Sequence, residues 1–501
     1  MLMRTRIENY FKAGFPGLAI QTSEEQRAIA DVLEASKNCK RNVAVWSATE
    51  GLKSILPAPK DHGAATTDPL EAFKKLDKDT TYIFRDLHLF PFGRDPILTR
   101  ALRDFLANCP LKGSTGIFIG PEFKPHNTVE KLITIMDYSL PSHADLKSIS
   151  EGIAKSVGKT ELVADESILR ALGGLATTEA ENALALSYIE TKKFSAPVIY
   201  REKVQAVRKT GLLDIVEADP RGLDAIGGLE ELKSWISKRK RAYSPDAVKY
   251  GLPAPKGVLL VGVPGSGKSL TAKAIGTALD VPTIRLDVGN LFNSLVGESE
   301  ARTRDALRLA EAMSPCVLWI DEIDKGFAGA SGSGSGDSGV TRRIFGTVIS
   351  WMQERARPVF LVATANQVHN LPPELLRKGR FDEIFAVDLP NLEERKAILD
   401  IHLQRKNRKP SAFNVALIAA QVDGFTGSEI ENVIDEAMFS AFDADREFTT
   451  EDIMKAAENT VPLSTTAKEQ IEGIREFAKT RARFASKQVE ETKSTTRKVG
   501  G

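Results

Sequence analysis

Short apolar runs alternate with amphipathic stretches along most of the chain. Over residues 1–200, strand-like runs at Gly17–Thr22, Asn42–Trp46, Thr81–Arg85 and Gly116–Gly120 are separated by helical patterns near Glu24–Ser36 and Ile97–Ala107. Residues 165–213 keep a helical period, with Ile168, Leu169, Leu172, Leu175, Ala183, Leu184 and Leu186 apolar. Further on, Val258–Val261, Pro282–Val288, CVLWI (316–320) and VFLVATAN (359–366) read as strands. Helices are expected over Leu270–Leu279, within 294–307, and around Ile344, Val348 and Trp351. Buried strands interleaved with helices point to a parallel sheet covered on both faces, an α/β fold.

The two halves share a pattern. GGLATTEAEN (173–182) stands against DGFTGSEIEN (423–432), with Gly174, Glu179, Glu181 and Asn182 matching Gly424, Glu429, Glu431 and Asn432. His126-Asn127 pairs with His369-Asn370, Pro141 with Pro390, and Asp86 at the end of YIFRD with Asp321 at the end of VLWID. Matches that keep their order along the chain suggest duplication of a whole module.

Composition narrows the class. Of 501 residues 42% are hydrophobic and 27% charged, ordinary values for a globular chain of about three or four domains. Lys plus Arg number 68 against 67 Asp plus Glu, so no global basic field calls for nucleic acid. The basic run SKRKR (237–241) reads as a solvated helix end. Cys39, Cys109 and Cys316 are odd in number and far apart, which fits neither a disulfide framework nor a zinc cluster and suggests a reducing compartment. No apolar stretch is long enough to span a bilayer, and MLMRTRIENYFKAGFPG lacks the apolar core of a secretory signal. A cytoplasmic or plastid-stromal location, with no membrane insertion, is the expectation.

The chemistry gathers downstream of Val258–Val261. Gly262 to Ser269, GVPGSGKS, fits G-x-x-x-x-G-K-[ST] between a strand and a helix. Gly262, Gly265 and Gly267 let backbone N–H groups close round a phosphate, with Pro264, Ser266 and Leu270 completing the turn. Lys268 would reach the outer phosphates, and Ser269 would hold Mg²⁺. CVLWIDEID (316–324) ends a buried strand in an acidic pair, where Asp321 would hold Mg²⁺ and Glu322 would activate water. Asn366 ends the next strand, and LLRKGRFDEIF (375–385) sets Arg377 and Arg380 beside a glycine. In the first half the corresponding stretch is QTSEEQR (21–27), with no Gly-Lys pair and two carboxylates that would repel phosphate. That half is expected to be a module without catalysis.

Residues 222–465 resemble the AAA subgroup of AAA+ ATPases through AIGGL, GVPGSGKS, LVGESEARTRDAL, VLWIDEID, VATAN, LLRKGRFD and GFTGSEIEN. A narrower likeness, carried by residues 319–354 and extending over the first half, is to two-copy AAA proteins encoded in cyanobacterial and algal plastid genomes. The resemblance implies a P-loop module with a parallel five-stranded sheet and a C-terminal helical lid, preceded by a degenerate AAA-like α/β domain. The bounds expected are 1–213 for the degenerate domain, 214–391 for the large ATPase subdomain, 392–465 for the lid, and 466–501 for a terminal helix and tail. It implies ATP and Mg²⁺ as ligands, backbone contacts from Ile226 and Gly227 to adenine, and Gly427 of the lid near the nucleotide. Asn366 would orient the lytic water, and Arg377 and Arg380 would act as arginine fingers on a neighbouring subunit's ATP. Such fingers imply a homo-oligomeric ring, a hexamer.

Two functions follow. The leading one is an ATP hydrolase that remodels or regulates a protein partner, in a photosynthetic setting linked by family likeness to carbon uptake. The alternative is an ATP-dependent scaffold or switch that translocates nothing. Leu295-Val296-Gly297 favours the second, because a pore loop that grips a polypeptide is expected to carry an aromatic ring where Leu295 stands. A nucleic-acid motor ranks third on the balanced charge. The tail from 466 begins as a basic amphipathic helix with Ile471, Ile474, Phe477, Ala478 and Phe484, and ends in KQVEETKSTTRKVGG, a composition that favours disorder.

Overall fold

The computed structural model describes residues 3–121, 123, 125–243, 245–289, 298–326, 338–355, 357–377 and 379–487. Leu295-Val296-Gly297 and most of the Gly/Ser loop at 330–339 lie outside the described residues. Packing divides the chain into two compact units, Met1–Asp165 with Leu175–Phe194, and Glu166–Gly174 with Ser195–Gly501. The helices Glu166–Leu172 and Ala196–Lys209, grouped with the first module on sequence, fall in the second unit by packing.

The first unit is built on a seven-stranded sheet of order β4-β3-β2-β5-β6-β1-β7. Its strands are β1 (Gly17–Gln21), β2 (Asn42–Ser47), β3 (Gly51–Leu56), β4 (Lys60–Asp61), β5 (Thr80–Arg85), β6 (Thr115–Gly120) and β7 (Ile133–Asp137). Five of them, β2-β5-β6-β1-β7, run parallel, and the β3–β4 hairpin extends the edge antiparallel. Alternate residues along each strand feed opposite faces of the sheet. Ala19, Phe84 and Phe118 join an aromatic core with Trp46, Phe73 and Phe105. Leu18, Ile20, Ile83, Ile117 and Ile119 join an aliphatic one with Ile7 and Val32.

The second unit carries β8 (Leu213–Val216), β9 (Gly257–Gly262), β10 (Thr283–Leu286), β11 (Cys316–Ile320), β12 (Val359–Ala365), β13 (Glu383–Val387) and β14 (Arg483–Phe484). Their order is β14-β13-β9-β12-β11-β10-β8. The five central strands are parallel, as expected, but the sheet has seven. β8 adds antiparallel to β10, and the two-residue β14 adds parallel to β13. Each covers an edge whose backbone groups would otherwise stand unpaired. Directly after β13 come the helices Leu392–Arg405, Val415–Gln421, Gly427–Asp443 and Thr450–Glu458, ahead of β14 in the chain. Capping boxes at Asn391/Glu394, Thr426/Glu429 and Thr449/Asp452 start three of them. Leu399, Leu403, Ile418, Ile430, Val433, Ile434 and Ile453 form their shared core.

Counted in chain order within each unit, both parallel cores read 2-3-4-1-5. The same topology twice, in register with the repeated sequence patterns, supports duplication. The register also corrects one pairing. β1 and β6 end with Gln21 opposite Gly120, and β9 and β12 with Val261 opposite Ala365. One residue before those ends, Arg85 faces Ile119, whereas Ile320 faces Ala363, so that Asp321 comes level with Thr364. Arg85 therefore stands at the place of Asp321, and Asp86 at that of Glu322. Backbone conformation agrees, since Asp86 (φ 53°) and Glu322 (φ 47°) are both left-handed.

Candidate functional site

β9 is apolar throughout and buried, so its carboxyl end delivers the loop after Gly262 to one edge of the sheet. Gly262 has no room for a side chain: a Cβ there would stand 2.3 Å from the Val387 carbonyl oxygen. Gly265 (φ 77°) and Gly267 (φ 89°) adopt the left-handed turns that aim the loop's N–H groups inward. The helix Lys268–Leu279 starts there, and its first-turn N–H groups and positive end face the loop.

Lys268 is 6% exposed, and its ammonium donates to the carbonyls of Gly262 (2.8 Å) and Val263 (2.7 Å). Burial pushes its pKa down from 10.5 to about 8, against the pull of Asp324, Asp321 and Glu322. Ser269 Oγ lies 3.2 Å from Asp321 Oδ1, joining the loop to the acidic pair. The Thr364 hydroxyl donates to Asp321 Oδ1 at 2.5 Å and accepts the Glu322 N–H at 2.9 Å, locking the turn in which Glu322 sits. Asn366 Nδ2 donates to Glu322 Oε1 at 3.0 Å, and Lys325 Nζ lies 2.7 Å from the same oxygen. Asp324, 1% exposed, accepts the backbone N–H groups of Asn366 (3.2 Å) and Gln367 (2.9 Å) through Oδ2.

Lys268, Ser269, Asp321, Glu322, Thr364 and Asn366 line one cleft of about 400 Å³, with Asp324 and Lys325 behind them. Its floor is Pro264 to Leu270 with Asp321, Glu322, Thr364 and Asn366. One wall is Ala225, Ile226, Gly227 and Leu229, and the lid side brings Ile398, Ile401, His402, Gly427, Ser428 and Glu431. Gly227 packs on the lid so closely that a Cβ would fall 2.6 Å from Ile398 Cγ1. The Ser428 N–H donates to the Gly265 carbonyl at 3.2 Å, tying the lid helix to the loop. Burial lowers the pKa of His402, against the pull of Glu431, whose Oε1 stands 3.5 Å from its Nδ1.

The structure thus brings together Ile226, Gly227, the loop from Pro264 to Leu270, Asp321, Glu322, Asn366 and Gly427, with Gly262 at the root of the loop. It does not bring Arg377 or Arg380 to the cleft. Arg377 is exposed, while Arg380 is 8% exposed with its Nε unpaired. Sequence reading missed Thr364, Asp324, Lys325, Asp388, Glu394, Ile398, His402, Arg405, Ser428 and Glu431. Only Asp324 had a signal, as the last acid of DEID.

Among the described residues no group of three or more His, Cys, Asp or Glu could hold a metal by itself. A hydroxyl and a carboxylate 3.2 Å apart beside a phosphate cradle fit Mg²⁺ that takes its other ligands from phosphate and water.

In the first unit the equivalent loop is occupied by its own side chains. Glu24 Oε1 accepts the Thr177 N–H (2.5 Å) and hydroxyl (2.7 Å) at the start of the helix Thr177–Thr191, and Glu24 also pairs with Arg27. Arg85, at the place of Asp321, pairs with Glu25 at 2.6 Å.

Comparison with known proteins gives the family. Residues 258–389 match the model of the ATPase family associated with various cellular activities (AAA), and residues 3–138 match the SpoVK-like AAA ATPase N-terminal domain. Over 480 residues the chain is 39% identical to an uncharacterized AAA domain-containing protein, ycf46, of Guillardia theta, covering 93% of each. It is 38% identical over 488 residues to the ycf46 protein of Pyropia yezoensis, covering 95% of this chain and 97% of that one. An ATP-dependent zinc metalloprotease FtsH of Leuconostoc mesenteroides is 32% identical over 343 residues, which span 64% of this chain and 46% of that protein. With full-length likeness at this level, and a phosphate loop, acidic pair and lid around one cleft, the chain belongs to the AAA ATPase family, alongside the ycf46 proteins.

Proposed function

We propose that the protein hydrolyses Mg·ATP between subunits of a hexameric ring and uses the turnover to remodel or regulate a protein partner. The observation that carries this reading is the convergence of Lys268, Ser269, Asp321, Glu322 and Asn366 on a single cleft under a helical lid. Ser269 and Asp321 would hold Mg²⁺, which supplies charge neutralisation at the β- and γ-phosphates. The loop N–H groups and Lys268 bind the phosphates, and Ile226 and Gly227 take the adenine side. Glu322 accepts a proton from water that Asn366 helps to orient. A role in photosynthetic carbon uptake is part of the proposal, and its support is the likeness to plastid-encoded relatives.

Lys268→Ala is expected to remove all ATP hydrolysis, measured as phosphate release, because the first unit has carboxylates where a second loop would be. Residual turnover in that variant would overturn the single-site reading. A second expectation concerns protons. Burial pushes the Lys268 pKa down to about 8, and bound phosphate would stabilise its charged form. Binding above pH 8 therefore takes up protons, and ATP affinity falls as pH rises through that value. Calorimetry at pH 8.5 in buffers of different ionisation enthalpy should give different apparent enthalpies, and identical ones would refute the assignment.

The scaffold reading gains from the first unit, where Glu24 and Glu25 bond to Thr177, Arg27 and Arg85 at the place a phosphate loop would take. ATP-driven unfolding of a tagged, folded reporter separates the two readings: unfolding supports the remodeller, and turnover without it supports the switch.

A further inference from the structure

We propose that the C-terminal segment 468–485 is a strap that positions the nucleotide site, with Gln470 and Arg475 as its positioning residues. The inference rests on the reading of Asn366 as part of the hydrolytic site.

The helix Lys468–Arg481 buries Ile471, Ile474 and Ala478 in the core that also holds Leu259, Val261, Leu361 and Ala365 of the central strands. Its docking is therefore set by the sheet that carries the catalytic residues. From that fixed helix, Gln470 Nε2 donates to the Asn366 carbonyl at 3.0 Å. One turn further along, Arg475 Nε donates to Asp388 Oδ2 at 2.8 Å, and Asp388 lines the cleft. The chain then runs into β14 beside β13, where Ala485 N–H donates to the Ala386 carbonyl at 2.9 Å. The Ala485 carbonyl in turn accepts the N–H groups of Glu231 (3.0 Å) and Leu232 (3.1 Å). Those two residues open the helix Glu230–Ser237, directly after the Ile226–Leu229 wall of the cleft. One segment thus reaches three places around the site: the end of β12 at Asn366, the turn after β13 at Asp388, and the helix that follows the Ile226–Leu229 wall.

The hold on Asn366 is the sharpest. Asp324 fixes its N–H and that of Gln367, and Gln470 fixes its carbonyl, so the peptide groups on both sides of the residue are tethered. From that held backbone its side chain donates to Glu322 Oε1 at 3.0 Å. Loss of the Gln470 tether leaves the outgoing peptide held on one side only, by Asp324 at the Gln367 N–H, and the effect falls on orientation of the reacting water rather than on the phosphate loop.

The test uses the full chain. Gln470→Met keeps length and removes the donor, and Gln470→Lys restores a donor. Gln470→Met is expected to lower kcat about fivefold with KM for ATP within twofold, and Gln470→Lys to recover most of the loss. Arg475→Ala should act in the same sense through Asp388. Amide exchange at 366–370 is the arm independent of turnover, and it should quicken in Gln470→Met. Unchanged kcat in Gln470→Met, a parallel fall in kcat and melting temperature with no rescue by lysine, or unchanged exchange would each overturn the strap. A wild-type chain without turnover would instead count against the hydrolase reading, and the exchange arm would still decide the tether.

Discussion

Glu322→Gln is expected to lower ATP turnover by about 10²–10⁴-fold while nucleotide binding stays close to that of the wild type. The side chain does not hold the phosphate loop. Its contacts are with Asn366 Nδ2 and Lys325, and its backbone N–H is held by Thr364. Glutamine keeps the shape, and its amide oxygen can still accept from Asn366. What disappears is the carboxylate that takes a proton from water. Lys268→Ala, by contrast, removes a buried ammonium from the root of the loop, so binding and turnover should fall together. Equilibrium titration with ATP, set beside steady-state phosphate release, reads the difference. A Glu322→Gln protein with turnover within tenfold of the wild type would remove Glu322 from the chemistry. The same variant, held with ATP bound, is the bait for a partner, and a protein retained only in the ATP state would be the first evidence of a client.

The fold was legible where strands are buried on both faces. GVLLVG and CVLWI are unbroken apolar runs, VFLVATA and TGIFIG are apolar but for one threonine each, and each became a fully buried central strand. β7, ITIMD, buries only Ile133 and Met136, and β3 grows more exposed toward its end, so neither stood out from its surroundings. β14 is two residues long and exists because β13 has a free edge. The site divides in the same way. The phosphate loop and the acidic pair are local patterns in which spacing along the chain carries the geometry. Thr364, Asp324 and Gln470 act across strands or from another helix, and their hydrogen bonds depend on sheet register and helix docking that spacing does not reveal. The mismatch of Asp86 shows the limit. Matching acid to acid looks natural in sequence, yet a shift of one residue along β5 puts Arg85 at the place of Asp321. The first module therefore carries an arginine at that position and no Gly-Lys pair in its loop, and Glu24 and Glu25 pair there with Arg27 and Arg85.

Arg377→Ala is expected to lower turnover by about 10³–10⁵-fold, the size of effect that arginines acting in trans have on phosphoryl transfer. The expectation turns on placement. Arg377 is exposed and outside its own cleft, so it has a free path to a neighbour's ATP and none to its own. Arg380 is buried, and its replacement removes packing as well as charge, so a lowered melting temperature should accompany any loss of turnover. Subunit mixing tests the trans arrangement directly. Arg377→Ala and Glu322→Gln proteins should each be nearly inactive alone. A ring that contains both can set an intact Glu322 of one subunit beside an intact Arg377 of the next. Activity should then appear on mixing and vanish on dilution below the assembly concentration. If the mixture stays as inactive as its parts while mixed rings form, the arginine acts within its own subunit or not at all, and hydrolysis between subunits has to be given up.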